Sequence, residues 1–221
     1  MKNTGINTMT KNLLMFVVLG IFWTISVQSQ SIDTVIQTPV FTSYFNKHLK
    51  EPVFVSYELY KGGGDCKRTG DVFHNSCNRI VTATPKDYSH SGFDEGHLCN
   101  SEDEAYDCDR QKGTFEFFNA LPQTPNLNRG IWKKWETEIR KESQTKHLLI
   151  IAGGANYSQK GNLSVPAICW KIVENTQTKQ IIHVLWCDNV PTDAQCHEVK
   201  TEVIYESVGD QAATEIENLI E

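Results

Sequence analysis

Apolar residues change rhythm along the chain, and the changes mark out its elements. PVFVSYELY (52–60) mixes β-branched and aromatic residues, and HLLIIAGGA (147–155) is a continuous apolar run ending in glycines; both read as strands. AICWKIV (167–173) and IIHVLWC (181–187) flank the polar stretch ENTQTKQ and together predict a hairpin. Between 127 and 142 the period lengthens. Leu127, Ile131, Trp132, Trp135 and Ile139 recur at helical spacing, while Lys133, Lys134, Glu136, Arg140 and Lys141 cover other directions. Pro125 breaks the chain ahead of this helix, with Asn126 or Asn128 at its N-cap. DQAATEIENLIE (210–221) is a second helix with a polar face. Strands and helices are interspersed without regular βαβ alternation, so the expectation is an α+β fold: a central, mainly antiparallel sheet flanked by helices.

The first 29 residues follow a different logic. Lys2 and Lys11 precede an apolar run from Leu13 to Val27, with small and polar residues after it, the layout of a secretory signal peptide cleaved after Ser29. The run is shorter than the roughly 20 residues that span a bilayer, so no stable membrane association is expected after cleavage. Residues 30–221, free of linkers and repeats, are expected to form a single domain in a secreted or periplasmic protein. All seven cysteines lie in this part, which predicts disulfides with one thiol left over, and no C-x-x-C pair suggests structural zinc. The formal charge of −6 becomes about −8 once Lys2 and Lys11 are lost, since residues 1–29 contain no acid. Such a chain cannot hold a polyanion through its overall field, so an anionic substrate needs a local basic patch.

Candidate chemistry gathers in two stretches. SGFDEGHLCN (91–100) sets Asp94, Glu95, Gly96 and His97 side by side, and TFEFFNALPQTPNLNRGIWKKWE (114–136) is dense in Asn and Gln before the long helix. Either alone has an ordinary structural reading, a polar turn or a helix cap. In this order and spacing they resemble the DNA/RNA non-specific endonucleases, a ββα-metal family whose signature runs D-R-G-H, N-x-x-P-Q, N-x-G-x-W and a glutamate. Asp94, Gly96 and His97 match the first element, Asn119, Pro122 and Gln123 the second, and Asn128, Gly130, Trp132 and Glu136 the third. Asp103 also falls where the family has an aspartate.

The resemblance implies a metal-dependent nuclease that cleaves DNA and RNA without strong sequence preference. His97 would be the general base, suited by an ordinary pKa of about 6.5. Asn128 would bind Mg²⁺ (or Mn²⁺) through its side-chain oxygen, with Asn119 buttressing the site and Glu136 reaching a water on the metal. On a continuous helix Asn128 and Glu136 would stand about 12 Å apart along the axis. Arg68 and Arg129 are the expected phosphate contacts. His183, inside an apolar strand, reads as a satisfied core residue. Asp94 and Gly96 are expected to shape a turn presenting His97, and Cys99 to fasten it through a disulfide. One position departs from the family: Glu95 stands where an arginine is usual. A carboxylate there is expected to repel phosphate and to raise the pKa of His97. The alternative is a weakened pseudo-nuclease that binds nucleic acid or a protein partner.

Overall fold

The computed structural model describes residues 30–68 and 70–221; the expected signal peptide, 1–29, lies outside the described residues. The chain opens with three strands, β1 (Thr34–Gln37), β2 (Thr42–Asn46) and β3 (Glu51–Leu59), then a long irregular connection containing the helical turn α1 (Pro85–Tyr88). Next come the short strand β4 (Asp94–His97), helix α2 (Cys108–Gly113), a 3₁₀ turn at Phe117–Asn119 and strand β5 (Ala120–Gln123). A wide helical segment, Leu127–Trp132, leads into α3 (Lys133–Glu142). Strands β6 (Leu148–Lys160), β7 (Leu163–Asn175), β8 (Gln180–Asp188) and β9 (Cys196–Glu198) follow, and helices α4 (Thr201–Val208) and α5 (Asp210–Ile220) close the chain.

The main sheet has the order β1-β2-β3-β6-β7-β8-β9 and every pairing in it is antiparallel. The fold is therefore α+β with a mainly antiparallel sheet, as the apolar rhythm predicts. Its central strands are buried on both faces, which is why their sequences run apolar without strict alternation. On one face Val55, Tyr57, Leu59, Leu148 and Ile150 pack with Leu121, Leu127, Trp132 and Ile139, seating β5 and α3 on the sheet. On the other, Phe54, Ile151, Trp170 and Ile172 pack with Ile204, Val208, Ala212 and Ile216 of α4 and α5. Burying each such side chain contributes about 1.5–3 kcal/mol, so both layers are fixed by their apolar stripes. Among the described residues no helix is long and apolar enough to cross a membrane.

Strands β4 and β5 form a separate antiparallel pair, with Asp94 opposite Gln123, Gly96 opposite Leu121 and His97 opposite Ala120. The D-E-G-H stretch is thus a strand and not the expected turn. Gly96 is required there because a Cβ would overlap the side chain of Gln123, itself fully buried.

Two disulfides form. Cys187–Cys196 ties β8 to β9, and Cys66–Cys108 joins the connection after β3 to the start of α2. Cys77, Cys99 and Cys169 are thiols, three where the odd count led us to expect one. Cys99 makes no disulfide, and a different group fastens the segment. The Asn119 side chain donates to the Cys99 carbonyl (2.9 Å) and accepts from the Cys99 N–H (2.8 Å), pinning the segment just after His97. The Cys66–Cys108 bridge closes a span of 42 residues. Replacing both cysteines by serine should lower stability by about 2–4 kcal/mol, read as a reduced denaturant midpoint with a steeper slope, because the uncrosslinked denatured chain exposes more surface.

Candidate active site

Every candidate but one meets at a single depression. A cavity of about 340 Å³ is lined by Arg68, Glu95, His97, Asn128, Arg129 and Glu136, together with Asn100, Lys133 and Arg140. Asn119 does not reach it: its amide also donates to the Thr114 carbonyl (2.8 Å), so its bonding capacity goes into holding backbone. It supports the site from behind.

The third motif is positioned by a break. Thr124 caps the helical stretch, its hydroxyl accepting from the Leu127 N–H (3.3 Å) with Pro125 in the first turn. Asn126, an expected cap, instead accepts from the Ala194 N–H (2.8 Å). Gly130 then leaves helical geometry (φ −103°, ψ −111°), so the uniform helix expected over 127–142 is two segments meeting at a kink. A helical span of eight residues therefore does not set the Asn128–Glu136 separation, and both side chains line one cavity.

Asp94 ties the two motifs together. Its carboxylate accepts from Asn128 Nδ2 (2.9 Å) and, bidentately, from Arg129 Nε (2.8 Å) and Nη2 (2.6 Å). With its nitrogen thus engaged, Asn128 lines the cavity with an Oδ1 that accepts no hydrogen bond from the described residues. This is the role Asp94 plays in place of shaping a turn. It also means that Arg129, expected on phosphate, is already paired with a carboxylate at the rim.

His97 is buried between Phe73 and Phe115, whose ring centres lie 4.5 and 4.7 Å from its own. Its Nε2 is closed off without a hydrogen-bond partner. Burial and then the Arg68 charge push its pKa down to about 3. The expectation that Glu95 would raise it is not met: the causes of the shift are burial and the Arg68 charge, and both lower it. Glu95 itself is half-buried, and burial followed by Asp94 raises its pKa. No described residue donates to its carboxylate.

Beside the cavity lies a charged network of which the sequence pattern announces only Asp103. Asp103, almost fully buried, accepts from Tyr57 Oη (2.8 Å) and Arg140 Nε (2.7 Å), and Arg140 also reaches Asn100 Oδ1 (3.1 Å). Removing one partner from such a buried pair costs about 3–5 kcal/mol, so the network fixes α3 against β3. Buried Lys171 of β7 stacks its ammonium 4.5 Å from the Trp132 ring centre. Its charge opposes the burial-driven rise in the pKa of Glu136. Arg140 and Lys171 were missed in the sequence, where one reads as helix surface and the other as strand interior.

Of the cations at the cavity, Arg129 and Arg140 are committed to Asp94 and Asp103; Arg68 and Lys133 have no ion pair among the described residues. Arg68 lies 5.2 Å from the Phe115 ring centre, on a segment held by the Cys66–Cys108 bridge. His183 lies away from the site. It is half-buried and satisfied, as expected, though by Glu142 and Glu198 (2.7 Å each) and not by core packing.

The donors fit a hard divalent cation: a free carboxamide oxygen beside a buried glutamate, with room for water. Among the described residues there is no cluster of three His, Cys, Asp or Glu side chains, so a site here would lean on few protein ligands.

Known proteins resemble this chain. Over 97 residues the chain is 40% identical to a nuclease from Nostoc sp. strain PCC 7120, covering 42% of this chain and 35% of that protein. It is 32% identical over 93 residues to mitochondrial endonuclease G from Bos taurus, covering 41% and 31% respectively. These matches span about a third of the relatives' length. A chain from the crystal structure of the EndoG/EndoGI complex superposes with a TM-score of 0.69 at 17% identity, over 82% of this chain and 86% of that one, a likeness of fold. The sequence pattern of the family described as DNA/RNA non-specific endonuclease matches residues 22–211, a family of ββα-metal nucleases that implies a divalent metal cofactor. The chain belongs to the DNA/RNA non-specific endonuclease family.

Proposed function

We propose that the protein is a secreted or periplasmic endonuclease that hydrolyses phosphodiester bonds of DNA and RNA, with Mg²⁺ or Mn²⁺ as cofactor. The observation that carries this reading is the meeting of His97, Asn128, Glu136 and Arg68 at one cavity. Asn128 Oδ1 would hold the cation, with the Glu136 carboxylate reaching a water on it. When bound, the metal supplies counter-charge for the phosphate and for the leaving 3′ oxygen.

The protein's own groups do the rest. Arg68 and Lys133, free of ion pairs among the described residues, take up the scissile phosphate. With Nε2 enclosed, His97 Nδ1 is the ring nitrogen that accepts the proton of the attacking water. A pKa of about 3 makes the resting imidazole a weak base. Arg68 is one cause of that depression, and a bound phosphate neutralises it, so substrate itself strengthens the base. The weakened pseudo-nuclease is the second reading, favoured by Glu95.

Three outcomes test this. The mature chain should nick plasmid DNA with Mg²⁺, and lose nicking with EDTA or in His97→Ala; degradation that survives both sinks the mechanism, and nucleic-acid binding without nicking selects the pseudo-nuclease. The acid limb of kcat/KM, which reports the free enzyme, should lie well below pH 6.5, and that of kcat, which reports the complex, at higher pH. A kcat limb at or below the kcat/KM limb would contradict activation by substrate. Asp94→Ala should weaken Mn²⁺ binding, measured calorimetrically, about 10–100-fold by releasing the Asn128 side chain.

A further inference from the structure

A second depression adjoins the first. It encloses about 740 Å³ and shares Arg68, Glu95, Asn128 and Arg129 with the catalytic cavity. Four aromatic residues, Phe73, Tyr88, Phe93 and Phe115, line the rest of it together with smaller and acidic side chains, Asp71 among them. We infer that this groove is a base-binding subsite, taking an unpaired, amino-bearing nucleobase next to the scissile phosphate, with Glu95 accepting a hydrogen bond from the amino group. The inference rests on the proposed nuclease activity.

Four observations converge on it. Aromatic walls suit the face of a base, and stacking is available only to a base released from a duplex, where lifting it out costs energy. The groove is less suited to a phosphate than the first depression, because Asp71, Asp94 and Glu95 line it, Arg129 is already paired with Asp94, and Arg68 at the shared edge is its one cation without an ion pair among the described residues. Glu95 is half-buried at the boundary of the two depressions with no donor from the described residues, so it repels an anion but accepts from N–H. Phe93, on the groove wall, is half-buried, so it keeps surface open to a ligand. Glu95 then has a function of its own: it exchanges a phosphate contact for recognition of a base. Cytosine presents an amino group where uracil presents a carbonyl, so the carboxylate should separate these two pyrimidines.

The experiment measures binding of short oligodeoxycytidine, oligodeoxyuridine and a blunt duplex to the mature protein in EDTA, by fluorescence anisotropy, with strand integrity checked on a gel. Oligodeoxycytidine should bind about tenfold more tightly than oligodeoxyuridine, and both single strands more tightly than the duplex. In Glu95→Gln, whose amide can present either oxygen or nitrogen, the cytosine-to-uracil ratio should fall toward one. Phe93→Leu, which keeps an apolar side chain and removes the ring, should weaken both single strands about fivefold or more. Duplex bound as tightly as single strands, or a base ratio that Glu95→Gln leaves unchanged, would overturn the subsite. Those results leave plasmid nicking untouched, whereas absence of nicking with an intact base ratio would fail the nuclease reading alone.

Discussion

The site depends on one carboxylate that joins two short pieces of chain. Asp94, at the start of β4, accepts from the side chains of Asn128 and Arg129, which lie 34 and 35 residues further on. Neither piece is rigid in isolation, since β4 has four residues and the helical stretch beyond it is broken at Gly130. Joined through Asp94, they bring His97 and Asn128 to the same cavity. The bond also settles which end of the Asn128 carboxamide faces outward, and so decides whether the site can offer an oxygen to a cation. Asn119 performs the complementary task behind His97, fixing the backbone at Cys99.

Around this junction the protein spends stability on polarity. His97 sits between two phenylalanine rings with an unpartnered nitrogen, and burial takes its pKa to about 3. Asp103, Arg140 and Tyr57 form a buried network under α3, where an apolar core would have been no less stable. Such departures from apolar packing concentrate at functional sites, where water-excluded charges act strongly on one another. The overall acidity of the chain is met locally, because Arg68 and Lys133 remain uncommitted while the other two cavity arginines are paired.

Much of the fold can be read from the sequence. The apolar runs at 167–173 and 181–187 lie within β7 and β8, the run at 147–155 falls on β6 from Leu148 onward, and the C-terminal helix is α5. Short elements escape that reading. Strand β4 carries Asp-Glu-Gly-His and β5 carries a proline, so neither shows β-branched alternation; pairing and burial against the core make them strands. The periodicity of 127–142 is real, but it cannot reveal the kink at Gly130, because apolar spacing survives a local change of backbone geometry. Motif order locates His97, Asn128 and Glu136. Arg68 comes only from the family resemblance, and nothing in the motifs points to Lys171, whose charge reaches Glu136 across the fold from β7. Glu95 shows the limit best. Read beside His97 in sequence it should raise that pKa, yet in three dimensions burial and Arg68 prevail.

The central claim is therefore spatial: Asp94 orients Asn128 so that its side-chain oxygen offers a cation site in the cavity lined by His97 and Glu136. The most direct measurement is the crystal structure of the mature protein soaked in Mn²⁺, with anomalous scattering used to locate the metal. The account predicts one strong peak in contact with Asn128 Oδ1 inside that cavity, with the Asp94–Asn128 hydrogen bond intact. A peak elsewhere, or one ligated while Asn128 points its nitrogen toward the metal, would contradict it.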